Sequence, residues 1–186
     1  HLENEPEELQ SLTFFLDGNE LNTLEATLKG KSFRFERESK IRSFILTNII
    51  EIKNNRLYEM TTIKTIVETP LNLVYHFMHA WTPSVSELIA GNDDLPDDDI
   101  HQPLLDDEDV SRHFYINRDI DWLSIYEPDS GQFAVSRILE VPEETESIST
   151  IWNVPNTYRK YYLRAFQNQS VPKDFNGTWK MATAFG

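Results

Sequence analysis

The segment 43–68 constrains the fold more than any other stretch of the chain. Phe44, Leu46, Ile50 and Ile52 fall on one side of an extended arm, and Ile45, Thr47 and Ile49 on the other. Strand side chains alternate between faces, so an arm that is apolar on both sides is a strand buried at its centre. Asn54-Asn55 follows, and asparagine tolerates the positive φ that a two-residue hairpin loop demands. The return arm, 56–68, carries Thr61, Thr62, Ile63, Thr65, Ile66 and Val67. Such a β-branched run disfavours helix and packs well on a pleated surface.

The same logic recurs along the chain. Residues 12–16 are apolar and β-prone and stop at the turn dipeptide Asp17-Gly18. Leu24, Ala26 and Leu28 alternate with polar residues, and so do Phe33 and Phe35. Further strands are predicted around Phe114–Ile116, Ile120–Tyr126, Phe133–Val141, Ile148–Val154 and Tyr158–Phe166, with a loop over 167–177 and a last strand holding Trp179, Met181 and Phe185. Two segments read differently. Leu71, Val74, Tyr75, Met78 and Trp81 recur at helical spacing after Thr69-Pro70, which predicts a helix over 70–81. A strand is the competing reading there, because Leu71, Leu73, Tyr75 and Phe77 also alternate. Ser84-Val85-Ser86-Glu87 has a capping-box pattern, and Gly91 supplies a stop, which predicts a short helix over 84–90.

About ten strands on short turns, with no βαβ alternation, imply a mainly β, β-rich α+β chain. The expected architecture is an antiparallel β-barrel or a two-layer sandwich, with one or two helices inserted near the middle. The chain of 186 residues is expected to form a single domain over 1–186, with 91–110 as an acidic loop excursion within it. The start, residues 1–6, is neither a signal peptide nor an initiator methionine, and it reads as a processed or trimmed end.

Composition removes several functions. There is no cysteine, hence no disulfide framework, Fe–S cluster, Cys-ligated zinc or thiol nucleophile, and no indication of compartment. No apolar run is long enough to span a membrane as a helix. The six glycines are not clustered, so phosphate-cradling loops are absent, and no serine-nucleophile motif occurs. The net charge is −14, which argues against binding duplex nucleic acid. That charge is concentrated: residues 87–147 hold 18 acids and three arginines, while the rest of the chain is nearly neutral.

Four groups of residues are candidates for function, and two acceptor triplets stand beside them. The acidic stretch, with Asp97, Asp98, Asp99, Asp106, Asp107, Glu108 and Asp109 among its acids, lacks EF-hand spacing. It reads as an electrostatic recognition loop for a basic partner. The closing strands are basic and aromatic, and Arg159, Lys160 and Arg164 among them are candidates for gripping an acidic partner. His76 and His79 are the only close histidine pair. On a helix they share a face and a metal is conceivable; on a strand they point apart. Asp119 and Asp121, on one strand face beside Trp122 and with Glu127 following, form a candidate carboxylate pair. Asn168-Gln169-Ser170 and Asn176-Gly177-Thr178 fit the glycosylation acceptor pattern.

Trp152-x-x-Pro155-Asn156 and Met181-Ala182-Thr183 resemble the closing strands of the small lipocalin-like lyases that attach bilins to phycobiliproteins. The likeness is confined to residues 152–183, and no residue role is carried over from it.

The reading that follows is a non-catalytic acidic interaction protein, an accessory subunit or a neutralising partner of a basic protein. It expects no cofactor and no catalytic or metal-binding residues. Two alternatives are a β-barrel holding a small apolar ligand, and a carboxylate- or metal-dependent hydrolase.

Overall fold

The computed structural model describes residues 6–25, 27–95, 99–103 and 114–186. They form fourteen strands and, among the described residues, no helix. In chain order these are β1 (Glu8–Leu16), β2 (Asn19–Glu20), β3 (Ser32–Ile41), β4 (Phe44–Lys53), β5 (Arg56–Thr65), β6 (Thr69–Trp81) and β7 (Glu87–Gly91). They continue as β8 (Ile100–Pro103), β9 (Phe114–Asp119), β10 (Trp122–Glu127), β11 (Gln132–Glu140), β12 (Ile148–Val154), β13 (Tyr158–Val171) and β14 (Asn176–Phe185).

Ten strands make a large sheet in the order β2-β1-β3-β4-β5-β14-β11-β10-β7-β8, and four make a small one in the order β6-β13-β12-β9. The pairings within both sheets are antiparallel. The large sheet begins at β2 and ends at β8 without closing on itself, so the architecture is a sandwich and not a barrel. That removes the enclosed lumen on which the apolar-ligand alternative relied.

Tight turns set the register of the first half. Asp17 and Gly18 (φ 51° and 82°) join β1 to β2, and Asn54 and Asn55 (φ 53° and 57°) join β4 to β5. Positive φ at both central residues matches the twist of the flanking strands, as the asparagine pair predicts. Asp17 also fastens this end, since its Oδ1 accepts the amides of Lys31 and Ser32 at 2.7 and 2.8 Å.

The core lies between the sheets. Trp179 of β14 is fully buried at its centre, with the rings of His76, Phe166 and Phe175 4.5, 5.6 and 6.2 Å away. Ile63, Leu88, Leu123 and Ile125 from the large sheet meet Ile116, Ile151 and Leu163 from the small one.

Both helix expectations are corrected. Residues 69–81 are strand β6, paired with β13 along its length. Phe77 has φ 52°, and the register slips there: His79 faces Tyr161, but His76 faces Leu163. This bulge adds one residue and shifts the strand's phase. Apolar positions on its two sides then recur three or four apart, which imitates a helix in the sequence. Residues 84–90 turn and enter β7, whose backbone pairs with β10. Ser84 spends its hydroxyl on Thr82, 2.7 Å away, instead of capping a helix.

Smaller differences follow the same physics. Residues 21–25 and 27–31 contain no strand, and Leu24 is exposed. β13 runs on to Val171, through part of the predicted 167–177 loop. The acidic excursion contributes β8, which extends the large sheet beside β7.

Candidate functional site

β6 is an edge strand of the small sheet. Its free edge overhangs β3, β4 and β5 of the large sheet and leaves a cleft of about 270 Å³. Phe35, Arg37, Asn48, Ile50, Glu59 and Thr61 supply the large-sheet wall, and Tyr75, His76, Phe77 and Met78 the β6 wall. The register explains why the polar groups converge. Arg37 stands opposite Asn48, and Asn48 opposite Thr61, so the three share one face of three adjacent strands. Ile50 faces Glu59 and puts that carboxylate on the same face.

The bulge at Phe77 completes the arrangement. A regular strand would send His76 and His79 to opposite sides. The extra residue turns both toward the large sheet. His76 packs on Trp179, and His79 Nε2 lies 2.6 Å from Glu59 Oε2. Each partner of that pair is about 14% exposed, so the bond is shielded but reachable. The Tyr161 ring lies 6.2 Å from His79, and its hydroxyl is 3.1 Å from Ser149 Oγ. Burial pushes the Tyr161 phenol well above its usual range, so it stays neutral beside the pair. Burial also drives the His76 imidazole down to about 3, so it sits uncharged in the cleft wall. Asn48 Nδ2 donates to Thr61 Oγ1 at 2.9 Å, which leaves its amide oxygen for another donor. Arg37 is held by Glu7.

Among the described residues no group of three His, Asp or Glu side chains is placed to hold a metal. A larger hollow of about 660 Å³ is lined by Asn55, Trp81, Glu127, Phe133 and Phe185, among others. Its side-chain carboxylate, Glu127, accepts from the hydroxyl and amide of Ser130 in the same wall, and these bonds hold its carboxyl below the usual range. The smaller cleft is lined by Glu59, whose carboxylate is bonded to His79 of the strand above it.

The other sequence candidates separate. Arg159 is 1% exposed, with its guanidinium donating to the carbonyls of Val85 and Pro83 and to Asn153. It braces the 82–86 turn and is not available to grip a partner. Arg164 is paired with Glu146 at 2.6 Å, and Lys160 is half-exposed on β13. Asp99 is exposed and packs against the Cα of Gly91. Asp97, Asp98, Asp106, Asp107, Glu108 and Asp109 lie outside the described residues. Asp119 ends β9 in the small sheet, whereas Asp121 accepts the Asp93 amide at the start of the large-sheet strand β10. The two acids do not share a strand face, so that carboxylate pair dissolves. Asn168 and Asn176 of the acceptor triplets are both exposed.

Sequence reasoning missed Glu59, Asn48 and Arg37. Each interrupts an otherwise apolar face of a strand predicted to be buried there, and a polar residue at such a position is itself the usable signal.

The chain matches no family model and no curated protein sequence. Solved structures do match its fold. A candidate aldose 1-epimerase from Escherichia coli K12 aligns with a TM-score of 0.53 at 10% identity, over 94% of this chain and 78% of that one. A galactose mutarotase-like protein from Lactobacillus casei aligns at 0.55 and 11%, over 94% and 80%. A GH36 α-galactosidase from Geobacillus stearothermophilus aligns at 0.57 and 7%, over 98% of this chain and 28% of that longer one. At such identities the likeness establishes the fold alone. The expectation of a non-catalytic acidic accessory or neutralising protein is corrected on this finding, since the fold is shared with a candidate aldose 1-epimerase and a galactose mutarotase-like protein. The bilin-lyase resemblance of residues 152–183 finds no counterpart in these alignments.

Proposed function

We propose that this protein binds a carbohydrate, an aldose or a short oligomer of aldoses, in the cleft beneath β6. A sugar ring presents hydroxyls in fixed directions around a body with apolar C–H faces. A site for it needs fixed polar side chains above an apolar floor. Arg37, Asn48, Glu59 and Thr61 supply the first, and Phe35, Ile50, Tyr75 and Met78 the second. The observation that carries the reading is this convergence of polar groups from β3, β4 and β5 on a sandwich resembling that of a candidate aldose 1-epimerase and a galactose mutarotase-like protein. Calorimetric titration with D-galactose and D-glucose tests it. Binding near a Kd of about 1 mM, equivalent to about −4 kcal/mol, is expected for at least one of them. It should be lost in Asn48→Ala and weakened in Glu59→Gln. Absence of binding to any of a panel of aldohexoses and their oligomers, or unchanged binding in both variants, would overturn it.

The Glu59–His79 bond favours a second reading on the same site, the interconversion of aldose anomers. Glu59 takes the proton of the anomeric hydroxyl while His79 gives one to the ring oxygen, and the ring C–O bond breaks to an open-chain aldehyde. Rotation about the adjacent C–C bond and reclosure return both protons, so no co-reactant is consumed. Polarimetry of freshly dissolved α-D-galactose tests this: decay accelerated by the protein and abolished in His79→Asn supports it. Decay at the buffer rate rules it out.

A further inference from the structure

The floor of the cleft does not stop at Phe35. The same face of the large sheet continues outward across β4, β3 and β1, beyond the reach of the four-stranded sheet. Phe14 stands opposite Phe35 in the register, with ring centroids 6.4 Å apart. Phe14 and Phe33 follow at 6.2 Å with their planes only 25° apart. All three rings are half-buried, and they are flanked by Ile52 and Leu12, 53% and 44% exposed. A row of flat rings thus leads directly out of the polar cleft, with the Arg37–Glu7 pair on the same sheet face.

We propose that the Phe35–Phe14–Phe33 row is a second sugar-ring subsite, so that the cleft's ligand is an oligosaccharide of two or more units and not a monosaccharide. The proposal rests on the carbohydrate reading of the cleft. Three observations select this occupant over an aliphatic chain or a protein. The row is continuous with the cleft, since Phe35 belongs to both. It is built from half-buried aromatic rings, and the axial C–H groups of a pyranose pack on aromatic rings. Its near-parallel pair suits a rigid, flat ligand better than a flexible chain, which would lose rotational freedom on a surface that does not enclose it.

Calorimetry with galactose and with its disaccharide, trisaccharide and tetrasaccharide forms tests the proposal. Affinity should rise about tenfold from the monosaccharide to the trisaccharide. Phe33→Ala and the milder Phe33→Leu, which keeps an apolar side chain but removes the ring, should both abolish that rise and leave monosaccharide binding unchanged, because Phe33 lies outside the cleft. Equal affinity for short and long sugars overturns the second subsite and spares the first, as does a rise that survives in Phe33→Leu. Failure of every sugar to bind overturns both. A fall in sedimentation mass in Phe14→Ala, with sugar affinity untouched, marks the row as a self-association surface and overturns the subsite.

Discussion

His76 couples the stability of the sandwich to pH, and the effect follows from where its ring sits. The side chain is 8% exposed, its ring packs on Trp179, and Nε2 is buried without a hydrogen-bond partner. Burial holds its pKa at about 3, whereas an ordinary histidine in the unfolded chain titrates near ~6.5. The unfolded state therefore binds a proton that the folded state refuses. The stabilising contribution is fully present above about pH 6.5 and is lost as pH falls toward about 3. The loss is about 1.4 kcal/mol per pH unit, so roughly 3 kcal/mol is gone by about pH 4.5. Carboxylates titrate in the same window, so the wild-type curve alone does not isolate the histidine. Phe in its place keeps a ring against Trp179 and removes both nitrogens. Urea unfolding of wild type and His76→Phe from about pH 7.5 to about pH 4.5 provides the readout. The stability gap should widen in favour of the variant by about 1.4 kcal/mol per unit below about pH 6.5. A gap independent of pH would refute the reasoning, because it would mean that the folded state accepts the proton as readily as the unfolded chain does.

The other predictions concern residues whose roles are structural. Trp179→Ala removes the central core ring and should cost about 3–5 kcal/mol in chemical denaturation. Arg159→Ala leaves the carbonyls of Val85 and Pro83 without their donor and should cost about 3 kcal/mol, with Arg159→Lys failing to restore the loss because one ammonium cannot reproduce the fork. Asn54, at φ 53°, should tolerate Gly with little change, whereas Asn54→Val should cost about 1–2 kcal/mol. The Asp17 carboxyl is held below its usual range chiefly by the Ser32 and Lys31 amides. Its contribution is present above the ordinary aspartate range and lost as pH falls through the lowered folded value. The difference in thermal midpoint between wild type and Asp17→Asn should accordingly shrink in acid.

Fold class was legible because alternation and turn chemistry are local. The 44–65 hairpin is where its apolar faces and asparagine turn put it, and Asp17-Gly18 turns as that dipeptide should. β6 misled because its irregularity is not local. Nothing in Tyr75-His76-Phe77-Met78 announces a bulge; Phe77 adopts φ 52° because pairing with β13 on one side and burial of its ring over-determine it. The same bulge made the histidine pair unreadable, since a strand without it sends the two rings apart. The concentrated acids of the predicted recognition loop lie for the most part outside the described residues, whereas the proposed sugar cleft is lined by single polar residues in three strands that the sequence presents as core. Glu59 acquires meaning only once β6 lies over it and His79 comes within 2.6 Å.

The central claim is that a sugar occupies the cleft under β6. The most direct measurement is backbone amide chemical-shift mapping by NMR as an aldose or its trisaccharide is titrated in. Shifts confined to residues near Arg37, Asn48, Glu59, Thr61 and 75–79, extending to Phe14 and Phe33 with the longer sugar, are the predicted result. Shifts that spare these residues and cluster on the opposite face of the large sheet, around Tyr58, Trp122 and Lys180, would contradict it.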